Sequence, residues 1–258
     1  MKGRMTRTKY AKKEFQTVRE EWNQVMKKRC IIGLIMGVCT CVFCQFPLDN
    51  KASAALDKYV NFAELAENEI EGEDYRIEYT DMGTDLLVLS PHGGGIEGGV
   101  SELVRAFSDE YSTYLFEGIK PSQNWDLHIT SNHFDEPTAL EAVSAHNYIL
   151  AFHGYEDTEE HTLVGGTDKK GGQAITKALK EHGFSAELVD QDHKFAGTDP
   201  DNLNNKCKTG LSIQLEISTP QREAFFARFG LKTRESTSNE RFNEYVAVIK
   251  EVLEERLK

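Results

Sequence analysis

Beyond residue 44 the chain has a single cysteine, Cys207; the other four (Cys30, Cys39, Cys41, Cys44) crowd into one apolar stretch near the start. A disulfide-stapled body is therefore excluded. Cys41-x-x-Cys44 sits inside that apolar run and reads as filler rather than as a redox or zinc motif. Basic residues are scarce as well. Of 30 basic and 42 acidic residues, 11 and 4 precede residue 56, which leaves 19 and 38 from there onward, a net of −19. Nucleic acid is excluded as a partner, since phosphate binding needs a basic footprint, and an acidic polymer would have to meet a local basic patch. There is no internal repeat and no low-complexity linker. The apolar run from Cys30 to about Phe46 has a membrane anchor as its alternative reading, but it falls short of the roughly 20 residues that crossing requires and contains Gly33 and Gly37, which favours a cleaved segment.

What is there, at that end, has the layout of a secretory signal. Met26-Lys27-Lys28-Arg29 is a positive n-region, Cys30 to Phe46 an apolar h-region, and Ala52-Ser53-Ala54 supplies small residues for cleavage before Ala55. The expectation is a signal peptide over residues 26–54, translation from Met26, and residues 1–25 as an upstream extension that is not native. Residues 55–258 remain as one secreted catalytic domain, monomeric and meeting the membrane only in transit. Roughly 200 residues suffice for one sizeable core.

The body is organised around Leu86-Leu87-Val88-Leu89-Ser90-Pro91-His92-Gly93-Gly94-Gly95-Ile96-Glu97-Gly98-Gly99. A strand-length apolar run ends in a glycine-rich turn with one imidazole and one carboxylate, and a helical pattern follows. Three readings compete. Gly93-x-Gly95-x-x-Gly98 fits a dinucleotide fingerprint, with Glu117 near the expected ribose position. Against it, Glu97 would set a negative charge beside a pyrophosphate. A plain tight turn leaves three consecutive glycines and two ligand-type side chains without a purpose. A metal site uses all of them, His92 and Glu97 as ligands and the glycines for unusual backbone angles.

Helical spacing is expected over Asp57–Ile70, from about Val100 to Phe107, over Glu136–His146, Lys170–His182, from Thr219 to Phe229, and over Asn239–Leu257. Strands are expected at Tyr75–Tyr79, Asp85–Ser90, Tyr114–Phe116, Trp125–Thr130, Tyr148–Phe152, Ala186–Val189 and Leu211–Ser218. Alternating helices and strands predict an α/β three-layer sandwich with a mixed, mostly parallel central sheet, whose site lies at the carboxyl ends of its strands. His92, His153 and Glu216 fall there. The long polar connection Asp190–Thr209 has the composition of a loop that carries binding groups.

Two histidines and a glutamate make a three-ligand shell with a fourth position open to water, the catalytic arrangement for Zn2+. A further carboxylate is needed to move the water's proton to the leaving amine, and Glu216 is the candidate. His128 and His133, which follow an expected strand, and His193 compete with His153 for the remaining ligand position. Glu216 has a structural alternative, as the partner of a buried lysine or arginine.

Ser90-Pro91-His92-Gly93-Gly94-Gly95-Ile96-Glu97, His153-Gly154-Tyr155, Thr162-Leu163-Val164-Gly165-Gly166-Thr167 and Ile213-Gln214-Leu215-Glu216-Ile217-Ser218 together resemble the poly-γ-glutamate hydrolases of bacilli and their phages. The resemblance runs across nearly all of the body and implies a zinc-carboxypeptidase-like fold and hydrolysis of γ-amide bonds in poly-γ-glutamate. Carried over by position, it implies His92, Glu97 and His153 as zinc ligands and Glu216 as general base. Four residues separate His92 from Glu97, where the carboxypeptidases have two, so that analogy stops at the logic of the site. Such a polymer presents one α-carboxylate per residue, which arginine binds as a fork and lysine as a point charge. Lys206, Arg222 and Arg105 are the candidate anchors, each with an ordinary solvated charge as its alternative, and Tyr155 either donates to a developing oxyanion or only packs. Other readings are a zinc amidase acting on peptidoglycan, a dinucleotide-binding oxidoreductase, and a metal-dependent binding protein without turnover.

Overall fold

The computed structural model describes residues 57–256; the expected signal peptide at 26–54 and the extension before it lie outside them. Seven strands form one sheet: β1 (Tyr75–Thr80), β2 (Leu86–Gly94), β3 (Ser112–Gly118), β4 (Tyr148–Tyr155), β5 (Thr162–Gly165), β6 (Ala186–Leu188) and β7 (Leu211–Ser218). Their order is β1-β3-β2-β4-β7-β5-β6. The pairs β2/β3, β2/β4, β4/β7 and β5/β6 are parallel, while β1/β3 and β5/β7 are antiparallel, so the sheet is mixed and mostly parallel. Around it lie α1 (Phe62–Asn68), α2 (Val100–Arg105), α3 (Pro137–Ala145), α4 (Lys169–Glu181), α5 (Thr219–Ala224) and α6 (Glu240–Arg256).

Successive side chains of a strand leave opposite faces. Leu86, Val88, Leu150, Phe152, Leu215 and Ile217 therefore meet Leu103 of α2, Leu179 of α4 and Ile249 of α6. Leu87, Leu89, Ile149 and Ala151 point the other way, to Leu65 of α1 and Val143 of α3. Two apolar faces between helices give three layers. β7 departs from this pattern, because its second face carries Gln214 and Glu216. A slip of β7 by one residue would drive both into hydrocarbon, where an unpaired polar group costs about 1–3 kcal/mol, so this polar face fixes the register.

The chain passes from β2 to β3 on one side and then to β4 on the other, so the sheet reverses direction at β2. Loops leaving the carboxyl ends of β2 and β4 diverge there and open a crevice. His92 and His153 stand at that point. β2 reaches it through a bulge: Ser90 pairs with Leu115 but Gly93 with Glu117, one extra residue at Pro91-His92. Proline has no N–H for the ladder, and the resulting bulge turns His92 out of the regular pleat.

Four expectations are corrected. The first helix starts at Phe62, capped by the Asn61 side chain, rather than at Asp57. Trp125–Thr130 forms no strand; a 3-10 turn over Asn124–Leu127 precedes an irregular segment. The helix expected to reach Phe229 stops at Ala224. β5, which no pattern announced, fills the space between β7 and β6.

Candidate metal centre

Glu97 is delivered by the turn after β2. Its backbone N–H donates to His92 O at 2.9 Å, and its Oε2 accepts from the Gly154 N–H at 2.8 Å, tying the turn to β4. Gly94 permits the turn, with φ +67° and a position where a Cβ would lie 2.3 Å from Gly118 O. The other carboxylate oxygen, Oε1, is 3.2 Å from His92 Nδ1, which is 3.1 Å from His153 Nδ1. His92, Glu97 and His153 are 2, 6 and 3% exposed.

This donor set fits a metal ion. A tetrahedral ion with Zn–N and Zn–O bonds near 2.0–2.1 Å holds its ligand atoms about 3.3 Å apart, against 3.1 Å between the two histidines, 3.2 Å from His92 to Glu97 Oε1 and 3.9 Å from His153 to Glu97 Oε2 here. His92 Nε2 donates to Ile129 O at 2.8 Å, which fixes the tautomer and leaves the Nδ1 lone pair facing the cluster, the usual outer support of a metal-bound imidazole. Burial, and then the neighbouring His92, push His153 down to about 3, so it stands neutral. Burial opposes the charge on Glu97, but in the metal-free protein His92, whose own affinity for a proton Glu97 raises, holds that carboxyl down at about 2; a metal ion would take the place of that proton on Nδ1. One anionic and two imidazole donors, buried together, are a borderline-soft site of the kind zinc takes.

Glu216 is in register with His153 on the adjacent strand, so both side chains leave the same face. Its Oε1 accepts from Gln214 Nε2 at 2.8 Å. Burial, and then the charge of Glu97, raise its carboxyl well above the ordinary carboxylate range.

Of the rival histidines, His128 joins the site and His133 and His193 do not. The His128 ring is clamped between Trp125, stacked at 4.5 Å, and His92 at 4.1 Å. Its Nδ1 is bonded to Asp57 at 2.6 Å and its Nε2 lies 3.9 Å from Glu97 Oε1. Burial would raise the Asp57 carboxyl, but the bonds from His128 and the Thr130 N–H hold it at about 2. His133 and His193 are exposed. Sequence could not foresee the Asp57–His128 pair, whose members are 71 residues apart.

The expected substrate anchors are placed elsewhere or already occupied. Arg222 is buried, and its guanidinium donates to the carbonyls of Ile217, Gly98 and Tyr155 and to Thr219 Oγ1. It is a clamp behind the site, pressed against Gly154, where a Cβ would lie 2.5 Å from its Cζ. Arg105 is held by Glu117 and Glu78. Lys206 is exposed on the turn Leu203–Lys206, towards the amino end of β7 and away from Glu216. Tyr155 stands at the carboxyl end of β4, but its hydroxyl donates to Asp157 at 3.0 Å. Arg222→Ala should therefore strand several buried carbonyls and lower stability by about 2–4 kcal/mol, read from the urea midpoint, with KM for substrate little changed in the folded fraction.

The dinucleotide reading fails on the same geometry. The N–H groups of Gly94, Gly95, Ile96 and Glu97 are spent on Ser101 Oγ, Gly118 O, Gly93 O and His92 O, so these four cannot cradle an anion. Glu117 is not available to a ribose, being bonded to Arg76 and Arg105.

The poly-gamma-glutamate hydrolase family matches residues 59–248. Among curated relatives, the UPF0714 protein YmaC of Bacillus subtilis (strain 168) is 50% identical over 231 residues, 88% of this chain and 98% of that protein. The SPbeta prophage-derived UPF0714 protein YoqZ of the same strain is 49% identical over 213 residues, 82% of this chain and 77% of its own length. A zinc-free apo form of YNDL superposes with a TM-score of 0.77 at 47% identity, covering 78% of this chain and 99% of that one. A bacteriophage poly-gamma-glutamate hydrolase superposes with a TM-score of 0.75 at 39% identity over 78% and 98%. Sequence match and fold thus agree over most of the described body, and the chain belongs to the poly-gamma-glutamate hydrolase family.

Proposed function

We propose that this hydrolase is a zinc-dependent amidohydrolase that cleaves γ-glutamyl amide bonds of poly-γ-glutamate outside the cell. The observation that carries the metal part is the buried His92, Glu97 and His153 set at the sheet's switch point, with Glu216 leaving the next strand on the same side. The substrate part rests on the family and on the bacteriophage enzyme of the same fold. Export rests on the signal-like segment 26–54.

In this reading His92, Glu97 and His153 would hold the ion. Zinc held there supplies Lewis acidity, lowering the pKa of a water and polarising the amide carbonyl. Glu216 accepts the proton that the water gives up as it adds to the γ-carbonyl carbon. Its raised affinity for protons, due to burial and Glu97, lets it keep that proton until the C–N bond breaks and the leaving amine takes it. The Gly154 N–H and Ile129 O fix the ligands, so little reorganisation is needed.

The test is chain length. Incubation of the purified protein with poly-γ-glutamate should shorten the polymer, as read by size-exclusion chromatography, and leave peptidoglycan intact. Unchanged polymer alongside released peptidoglycan stem peptides would replace this substrate with the amidase alternative.

A further inference from the structure

The long connection before β7 does not offer its asparagines to a ligand; it docks them on the polar face of that strand. Asn202 Nδ2 and Asn204 Nδ2 both donate to Gln214 Oε1, at 3.3 and 3.0 Å, and Gln214 Nε2 donates to Glu216 Oε1 at 2.8 Å. All four side chains are buried. Gly197 makes room for the arrangement, since a Cβ there would lie 2.5 Å from Gln214 Oε1.

The polarity of this relay is not free. The Asn204 backbone N–H, which can only donate, points at Asn202 Oδ1 at 3.0 Å. Asn202 must therefore turn its amide nitrogen towards Gln214, Gln214 must receive it on Oε1, and its own nitrogen must face Glu216. An acceptor is then required at Glu216 Oε1 in either protonation state. The other oxygen, Oε2, takes no hydrogen bond among the described residues.

Resting on the reading of Glu216 as the base, we infer that Gln214, backed by Asn202, is a positioning residue that dedicates Glu216 Oε1 to hydrogen-bond acceptance and leaves Oε2 as the oxygen that takes and returns the proton. A backbone N–H thereby sets, through two amides, which oxygen works and where it points. Without the relay the carboxyl can turn about its last bond and share the proton between two orientations.

The experiment compares the full chain with its Gln214→Leu, Asn202→Asp and doubly substituted forms, measuring kcat and KM on poly-γ-glutamate, zinc affinity and thermal midpoint. Gln214→Leu should lower kcat about 10- to 100-fold, with KM and zinc affinity within about twofold. Asn202→Asp still accepts from the Asn204 N–H but cannot donate to Gln214, so it should cost about 3- to 10-fold in kcat. Added to Gln214→Leu it should cost nothing more, because the relay is already cut. A folded Gln214→Leu protein with kcat within about twofold of the unsubstituted chain would overturn the inference, as would an Asn202→Asp effect of equal size in both backgrounds. Should Gln214→Leu fail to fold, Asn202→Asp decides alone, and an unchanged kcat overturns the relay. An unsubstituted chain that leaves the polymer intact fails the proposed function instead, which is seen before any variant is made.

Discussion

Stripping the protein with a chelator should reduce cleavage of poly-γ-glutamate to background, and one equivalent of zinc should restore it. Two imidazoles and a carboxylate face one another at 3.1 and 3.2 Å with almost no solvent between them. Without a metal ion the Glu97 carboxylate is balanced only by a proton on His92, and His153 is left neutral and out of water beside them. A cation at the centre satisfies all three. An ion that binds the folded chain at about 1,000 times its Kd adds roughly 4 kcal/mol of stability. For a domain of this size that is on the order of 8–16 °C in thermal midpoint. Calorimetry of stripped and reloaded protein checks this independently of turnover. His153→Ala should remove the gain on zinc addition together with activity, because it leaves an incomplete shell around a buried carboxylate. Full activity in excess chelator, with no shift of midpoint on adding zinc, would remove the metal from the account.

Much of this centre was readable in the chain because its parts lie where strands end. The apolar runs of β2 and β4 and the alternation of β7 mark three adjacent strands, and His92, His153 and Glu216 fall at or near their carboxyl ends. What was not readable depends on partners far away in sequence. Arg222 looks like a free cation until Gly98, 124 residues earlier, is seen to occupy it. Arg105 has the placing of a carboxylate anchor or of an ordinary solvated charge, yet it is taken by Glu117 and Glu78. Trp125–Thr130 alternates as a strand does, but the segment folds as a turn that serves the site: Trp125 and His128 stack on one another, and Ile129 gives its carbonyl to His92. β5 has only four residues and gains its place by antiparallel pairing with β7, a non-local choice that leaves no local period. Gln214 is the instructive case. Its spacing of two from Glu216 puts both on one face of β7; that the amide points its nitrogen at the carboxylate is decided by Asn202 and Asn204, whose docking no spacing reveals.

Glu216→Gln should lower kcat about 10²- to 10⁴-fold, the usual worth of a positioned acid–base group, with zinc affinity and KM nearly unchanged. The amide keeps the volume of the side chain and an oxygen for Gln214 Nε2 to meet, so the β7 face and the His/Glu/His set are left standing. What it removes is the ability to take a proton from water and return it. The same substitution has an opposite effect on stability, and this separates a lost catalytic group from a damaged fold. Burial and the Glu97 charge raise the Glu216 carboxyl well above its reference value of 4.5. A group with a raised folded-state pKa contributes stability that is full below its unfolded pKa and is lost as pH rises through the folded one. In metal-free protein the charged Glu216 is therefore a liability from about pH 5 upward, and the uncharged glutamine escapes it. Metal-free Glu216→Gln should match the unsubstituted protein in thermal midpoint near pH 4 and exceed it at pH 8. A variant that retains kcat within about tenfold would place the base elsewhere, with His128 next to be tested for its approach to Glu97 at 3.9 Å. A variant that loses activity and midpoint together at pH 8 would instead make Glu216 a structural partner, the bland alternative that a carboxylate at the end of a core strand always carries.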